Sequence, residues 1–281
     1  MRPKLLILLL LPFLLVSCGK RRAEEKPALT VSVEPLRYVV EAVAGDRYTV
    51  HTLMPGGASP ETYEPTPRQM VELGSGRLLF VCGTLGFERT RLKEMDEASP
   101  EVETVALSRG VEPLPAAGGV GEGDDPHIWM SPRNLAVMAA NVCDALCRAD
   151  STHAGEYRAR LTAFGRRMEH EDSVLAARLK PLRHRVFLIH HPALGHFARC
   201  YGLRQCAVEQ DGREPSASRL RQLEAECRAA GVRRVLVSRE HSGRAARQLA
   251  KRLGAKVVEI NPLAYDIPAE MERIAQALQD D

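Results

Sequence analysis

Eight short runs of β-branched and aliphatic residues fall into two sets of four, with a long stretch lacking strand signals between them. The first set covers 29–33, 48–53, 78–82 and 103–106; the second covers 185–189, 203–208, 234–238 and 256–260. Helix signals separate most of them. Thr66-Pro67 offers a capping hydroxyl and a proline at the first helical position, and Ser216 opens another helix that Gly231 ends. Gly45 and Gly254 close two more. Strands that alternate with helices pair in parallel, because a parallel neighbour requires a crossover. The expected fold is therefore α/β: two lobes, each a roughly four-stranded, mostly parallel sheet flanked by helices. From Ser151 to Lys180 there is no proline, and Tyr157, Leu161, Phe164 and Met168 share one helix face that Leu175 and Leu179 resume. A single helix there is about 43 Å long, enough to run along both lobes as a rigid strut. Two helices broken near 169–172 are the alternative. The expected division is an N-terminal lobe at 29–150, a linker helix at 151–180 and a C-terminal lobe at 181–281.

The first 17 residues read as an address. Arg2 and Lys4 form a short basic region, and Leu5 to Val16 is apolar apart from Pro12. That run spans about 18 Å as a helix, short of the roughly 30 Å of a bilayer core, so it reads as a signal peptide. Leu15-Val16-Ser17-Cys18 puts a small residue before cysteine and resembles a bacterial lipobox. The resemblance implies cleavage before Cys18 and acylation of its thiol and new amine. Residues 18–28 are then a lipid-anchored tether, polar enough to stay flexible. The protein is expected outside the cytoplasm, membrane-anchored, on the periplasmic or cell-surface side. Losing Arg2 and Lys4 leaves 37 basic side chains against 36 acidic ones, which makes no electrostatic case for nucleic acid. Of the other cysteines, Cys143 and Cys147 lie one helical turn apart and read as apolar core residues. Cys200 and Cys206 are close enough in sequence to close a short loop.

In open α/β sheets, ligands bind beyond the carboxyl ends of the strands. Metal-capable side chains just past a strand are Glu61 after the second, His127 after the fourth, His190 and His191 after the fifth, and Asn261 and Asp266 after the eighth. They come from both halves, so a site built from them lies between the lobes. His51, His153, His170, His184 and His241 fall in strands or charged helices and receive no role. Two imidazoles and a carboxylate suit zinc, and also iron(II) or manganese. Glu64, Asp124 and Asp125 are candidates to accept the second imidazole N–H.

The motifs at these positions are Gly57-Ala58-Ser59-Pro60-Glu61-Thr62-Tyr63-Glu64-Pro65-Thr66-Pro67, Asp125-Pro126-His127-Ile128-Trp129, His191-Pro192-Ala193-Leu194-Gly195, Glu209-Gln210-Asp211-Gly212-Arg213-Glu214-Pro215-Ser216 and Asn261-Pro262-Leu263-Ala264. Here the chain resembles the zinc-uptake solute-binding lipoproteins of ABC transporters, the ZnuA/TroA-like group of the metal-binding cluster A-I family. The resemblance covers most of the chain from about Leu29. It implies two α/β lobes joined by one long rigid helix, and an extracytoplasmic protein that captures a metal ion between them. His127 and His191 match ligand positions of that family. Glu61 stands where histidine is common, Asn261 where some members have a ligating aspartate, and His196 where tyrosine is usual. The implied set is Glu61, His127 and His191, with Asn261, Asp266 or water as fourth ligand. A carboxylate in place of an imidazole keeps Mn²⁺ or Fe²⁺ open beside Zn²⁺, with zinc preferred. No histidine-rich loop precedes His127.

The resemblance implies delivery of Zn²⁺ to an ABC permease and its ATPase subunit, by a protein read as a monomer. A surface adhesin lipoprotein that also binds metal is a second reading. A zinc enzyme using Glu209 or Glu214 as acid–base group is the rival class, but no His-Glu-x-x-His pair and no Gly-x-Ser-x-Gly elbow supports it.

Overall fold

In a computed structural model describing residues 26–60, 63–74, 76–116, 123–209, 215–241 and 243–279, each of the eight runs contains a strand. The signal peptide at 1–17, Cys18, most of the 18–28 tether, Glu61 and Glu214 lie outside the described residues. The first sheet comprises β1 (Ala28–Val31), β2 (Thr49–Thr52), β3 (Leu78–Val81) and β4 (Glu103–Ala106), in the order β2-β1-β3-β4. The second comprises β5 (Val186–Ile189), β6 (Arg204–Ala207), β7 (Arg234–Ser238) and β8 (Lys256–Ile260), in the order β6-β5-β7-β8. Every pairing is parallel. The central strands read as unbroken apolar runs because helices cover both faces. All four residues of β3 are buried, whereas the edge strand β2 alternates between exposed and half-buried.

Helices α1 (Glu34–Ala44), α2 (Pro67–Leu73), α3 (Gly86–Ala98) and α4 (Pro132–Ala149) belong to the first lobe. Thr66 caps α2 as its sequence suggests: its hydroxyl accepts from the Gln69 N–H, and Gln69 Oε1 accepts from the Thr66 N–H at 2.9 Å. The second lobe holds α6 (Gly195–Cys200), α7 (Ala217–Ala229), α8 (Arg244–Leu253) and α9 (Ile267–Gln279). Between them α5 (Ala154–Leu179) is one unbroken helix of 26 residues, about 39 Å long. It buries Tyr157, Phe164, Met168, Leu175 and Leu179, packing on α1 and α4 at one end and α9 at the other. A single hydrophobic core therefore runs through both lobes, from Val31 and Phe80 to Phe187 and Ile189, with a smaller one around Leu188, Leu223 and Leu249.

Polar ties hold the strut to both lobes. Arg47 pairs with Glu156 at 2.6 Å near its start, and Arg178 with Glu272 at 2.9 Å near its end. In its middle, Asp172 accepts from Arg133 and from the Tyr201 hydroxyl, both at 3.0 Å. Among the described residues no helix is long and apolar enough to cross a membrane. Among the described residues the six cysteines are free thiols, and Cys200 hydrogen-bonds the Ser131 hydroxyl at 3.3 Å rather than joining Cys206.

At the head of the strut, Asp150 accepts from the Tyr157 hydroxyl and from His153 Nδ1, both at 2.7 Å. The tyrosine hydrogen bond is the main cause holding its carboxyl below its ordinary pKa; slight burial opposes it and His153 adds to it. A depressed acid stabilises the folded state above the ordinary value of about 3.9 and loses that contribution as pH falls through the lower folded value. Asp150→Ala is therefore expected to lower unfolding stability at pH 7, with the gap to wild type closing below about pH 4 in urea titrations. A gap unchanged between pH 7 and the acid end of the series removes Asp150 from this role.

Candidate metal centre

Strand order reverses between β1 and β3 in one sheet and between β5 and β7 in the other. Loops leaving neighbouring strands at such a point diverge and open a crevice at the carboxyl ends. A cavity of about 170 Å³ lies there, lined from the first lobe by Pro60, Leu85 and His127 and from the second by His191, His241 and Pro262.

His127 is fixed before any ligand arrives. Oδ1 of Asp125 accepts from its backbone N–H at 3.0 Å and from its Nδ1–H at 2.8 Å. A carboxylate only accepts, so the ring proton sits on Nδ1 and Nε2 keeps its lone pair. Asp125 is 3% exposed. Burial pushes its carboxyl up, but hydrogen bonds and charge from His127, with charge from His196, outweigh this and leave it below the ordinary carboxylate range. His191 repeats the device from the other lobe. Its Nδ1 meets Oε2 of the buried Glu209 at 3.2 Å. Burial raises the Glu209 pKa; the His191 hydrogen bond and the charges of His191, His241 and His190 more than reverse it. Imidazoles oriented by a carboxylate on the second nitrogen are the usual arrangement of protein metal ligands. The two rings stand 5.2 Å apart between centroids.

The other residues singled out in the sequence are placed as follows. His190 is buried, continues the sheet by donating its N–H to Leu236 O at 2.9 Å, and does not line the cavity. Asn261 and Asp266 are not brought there either. Asn261 Oδ1 accepts from the Leu263 N–H at 3.2 Å, and the exposed Asp266 caps α9 by accepting from the Ala269 N–H at 3.2 Å. Both are occupied by nearby backbone donors, and it is Pro262 and Leu263 that reach the cavity. Glu64 pairs with Arg91 at 2.7 Å rather than with an imidazole, and Asp124 is exposed. His196 is a cross-lobe pin. Asn134 and Arg199 donate to its Nδ1 at 3.2 and 3.4 Å, so Nε2 carries the proton toward Asp125 O at 3.3 Å. Burial is the main cause that lowers its pKa, which keeps the ring neutral.

Two residues escaped the sequence reading. Glu209, weighed only as an enzymatic acid–base group, is the partner of His191. His241, given no role, lines the cavity. The strand-end rule that selected the other candidates covers both: Glu209 follows β6, which ends at Ala207, and His241 follows β7, which ends at Ser238.

Gly195 permits the close approach of the two lobes. A Cβ there would overlap Oδ2 of Asp125. Gly195→Ala is expected to displace Asp125, release His127 and weaken metal binding by about 10-fold or more, the scale of losing an orienting partner. Wild-type affinity by competitive titration would show that Asp125 tolerates the shift.

Three comparisons bear on this geometry. Residues 29–280 match the family model for zinc-uptake complex component A, periplasmic (ZnuA). A crystal structure of ZnuA superposes with a TM-score of 0.85 at 32% identity, covering 90% of this chain and 97% of the other. A Chlamydia muridarum protein described as a putative metal-binding protein is 26% identical over 99% of both chains. The iron-binding protein YfeA of Yersinia pestis is 29% identical over 59% of this chain and 54% of its own length.

Proposed function

The chain belongs to the family of the periplasmic zinc-uptake complex component A, and on that premise we propose that it captures Zn²⁺ in the cavity between its lobes and delivers it to an ABC permease served by an ATPase subunit. The family is one of metal-binding solute carriers rather than enzymes. One observation carries the reading: His127 and His191, from opposite lobes, face one cavity 5.2 Å apart, each with Nδ1 held by a buried carboxylate. Glu61 is the proposed third ligand. It directly follows Pro60, which lines the cavity. Ligands divided between lobes let the ion clamp the cleft, and the strut limits that motion to small tilts. Only neutral imidazole and ionised carboxylate coordinate, so acid weakens capture.

The proposed organisation is a signal peptide at 1–17, acylated Cys18 opening a tether at 18–28, lobes at 29–150 and 181–281, and the linker helix at 151–180. The anchor keeps a monomeric carrier close to its permease and raises the effective concentration there. Manganese and iron(II) are the competing cargoes. Elemental analysis of the purified protein, with competitive titration of Zn²⁺ against Mn²⁺ and Fe²⁺, decides between them. Bound zinc with a preference over manganese is expected, and a protein that binds none of the three would overturn the reading.

A further inference from the structure

The loop after β7 brings a third imidazole to the cavity. At the point where strand order reverses, β7 pairs directly with β5, so its loop faces the loop that carries His191. The His241 ring lies over that of His191, with centroids 4.8 Å apart and planes within 9°. Among the described residues, His191, Glu209 and His241 each offer one donor atom, and these lie within 4.8 Å of one another. Nitrogen ligands of a tetrahedral zinc ion sit about 3.4 Å apart, given bonds of about 2.0–2.1 Å, so modest side-chain rotation brings the two imidazoles to one ion.

We propose that His241 is a direct ligand of the captured ion, which is then held by three imidazoles: His127 from the first lobe, and His191 and His241 from the second. This rests on the metal-capture reading and adds to it a ligand and a basis for choosing the metal. Glu209 keeps the role its hydrogen bond gives it, holding His191 by Nδ1. Asn261, bound into its own turn, is not needed as a fourth ligand. Three imidazoles make a nitrogen-rich site, which favours zinc over manganese, an ion that prefers carboxylate, carbonyl and water oxygens.

Stacked rings also occur through packing alone, and two substitutions in the full chain separate the cases. His241→Phe keeps an aromatic ring over His191 but cannot coordinate; His241→Asp gives up the stack but can. Melting without metal checks that each variant folds. Chelator competition then measures Zn²⁺ and Mn²⁺ affinity, and Co²⁺ substitution reports the ligand set through its visible absorption. The expected results are a loss of zinc affinity in His241→Phe of more than about 100-fold, beyond the 10- to 100-fold cost of losing an orienting partner, with altered Co²⁺ bands. His241→Asp keeps binding zinc, but with a smaller zinc-to-manganese ratio. Wild-type zinc affinity and Co²⁺ spectrum in His241→Phe, or an unchanged metal ratio in His241→Asp, would overturn the proposal while leaving metal capture standing. A wild-type chain that binds no metal overturns the capture reading itself.

Discussion

Alanine at His127 or at His191 is expected to abolish the thermal stabilisation that zinc confers on the wild-type protein. An ion that binds only the folded state stabilises it by about 4 kcal/mol when present at a thousand times its dissociation constant. For a chain of this size each kcal/mol moves the melting point by about 2–4 °C, so the wild-type shift is about 8–16 °C. Each imidazole is the contribution of its lobe, oriented by Asp125 or Glu209. Removing either takes one lobe's oriented imidazole from the ion and weakens the linkage between ion binding and cleft closure. Because His127 is buried and each imidazole partners a buried carboxylate, the substitutions also lower the metal-free melting point, and the zinc shift is measured against each variant's own metal-free value. An undiminished zinc shift in both variants would leave the ligand assignment without support.

The second large effect is expected at Trp129, two residues past His127. Its side chain is completely buried, and its indole N–H donates to Pro262 O at 2.7 Å, bridging the two lobes across 133 residues of sequence. Its ring also meets the His127 imidazole at 5.5 Å in an edge contact. Trp129→Ala should cost about 3–5 kcal/mol from the cavity alone. The Pro262 carbonyl, left without its donor, adds about 1–3 kcal/mol if it stays buried. Trp129→Phe separates these parts, keeping much of the packing and losing the hydrogen bond, and should fall between. Urea unfolding measures both. A Trp129→Ala protein within 1 kcal/mol of wild type would mean that the lobes do not depend on this bridge.

Much of the fold was legible because its signals are local. All eight strands appear where β-branched runs predict them, and the caps at Thr66 and Ser216 form as their spacing suggests. The long helix was legible as an apolar stripe, but its continuity was not. Residues 169–172 are polar, and in the structure the Arg133 and Tyr201 contacts to Asp172 hold that segment against both neighbours. His127 and His191 could be selected by their position past a strand. Asn261 and Asp266 satisfied the same rule, yet their short polar side chains found backbone donors two or three residues away, a competition that spacing alone does not decide.

What the sequence determined by itself was the class of fold and its division into two sheets separated by a helical stretch, since periodicity, capping and strand composition act over a few residues. What only the tertiary structure decided was which strand ends meet. The order β6-β5-β7-β8 sets the loop after β7 beside the loop after β5, while the loop after β8 reaches the cavity through Pro262 and Leu263. His241 lines the cavity beside His191, whereas Asn261 is turned to the Leu263 N–H within its own loop; strand order comes from packing between elements distant in sequence, and no local pattern encodes it.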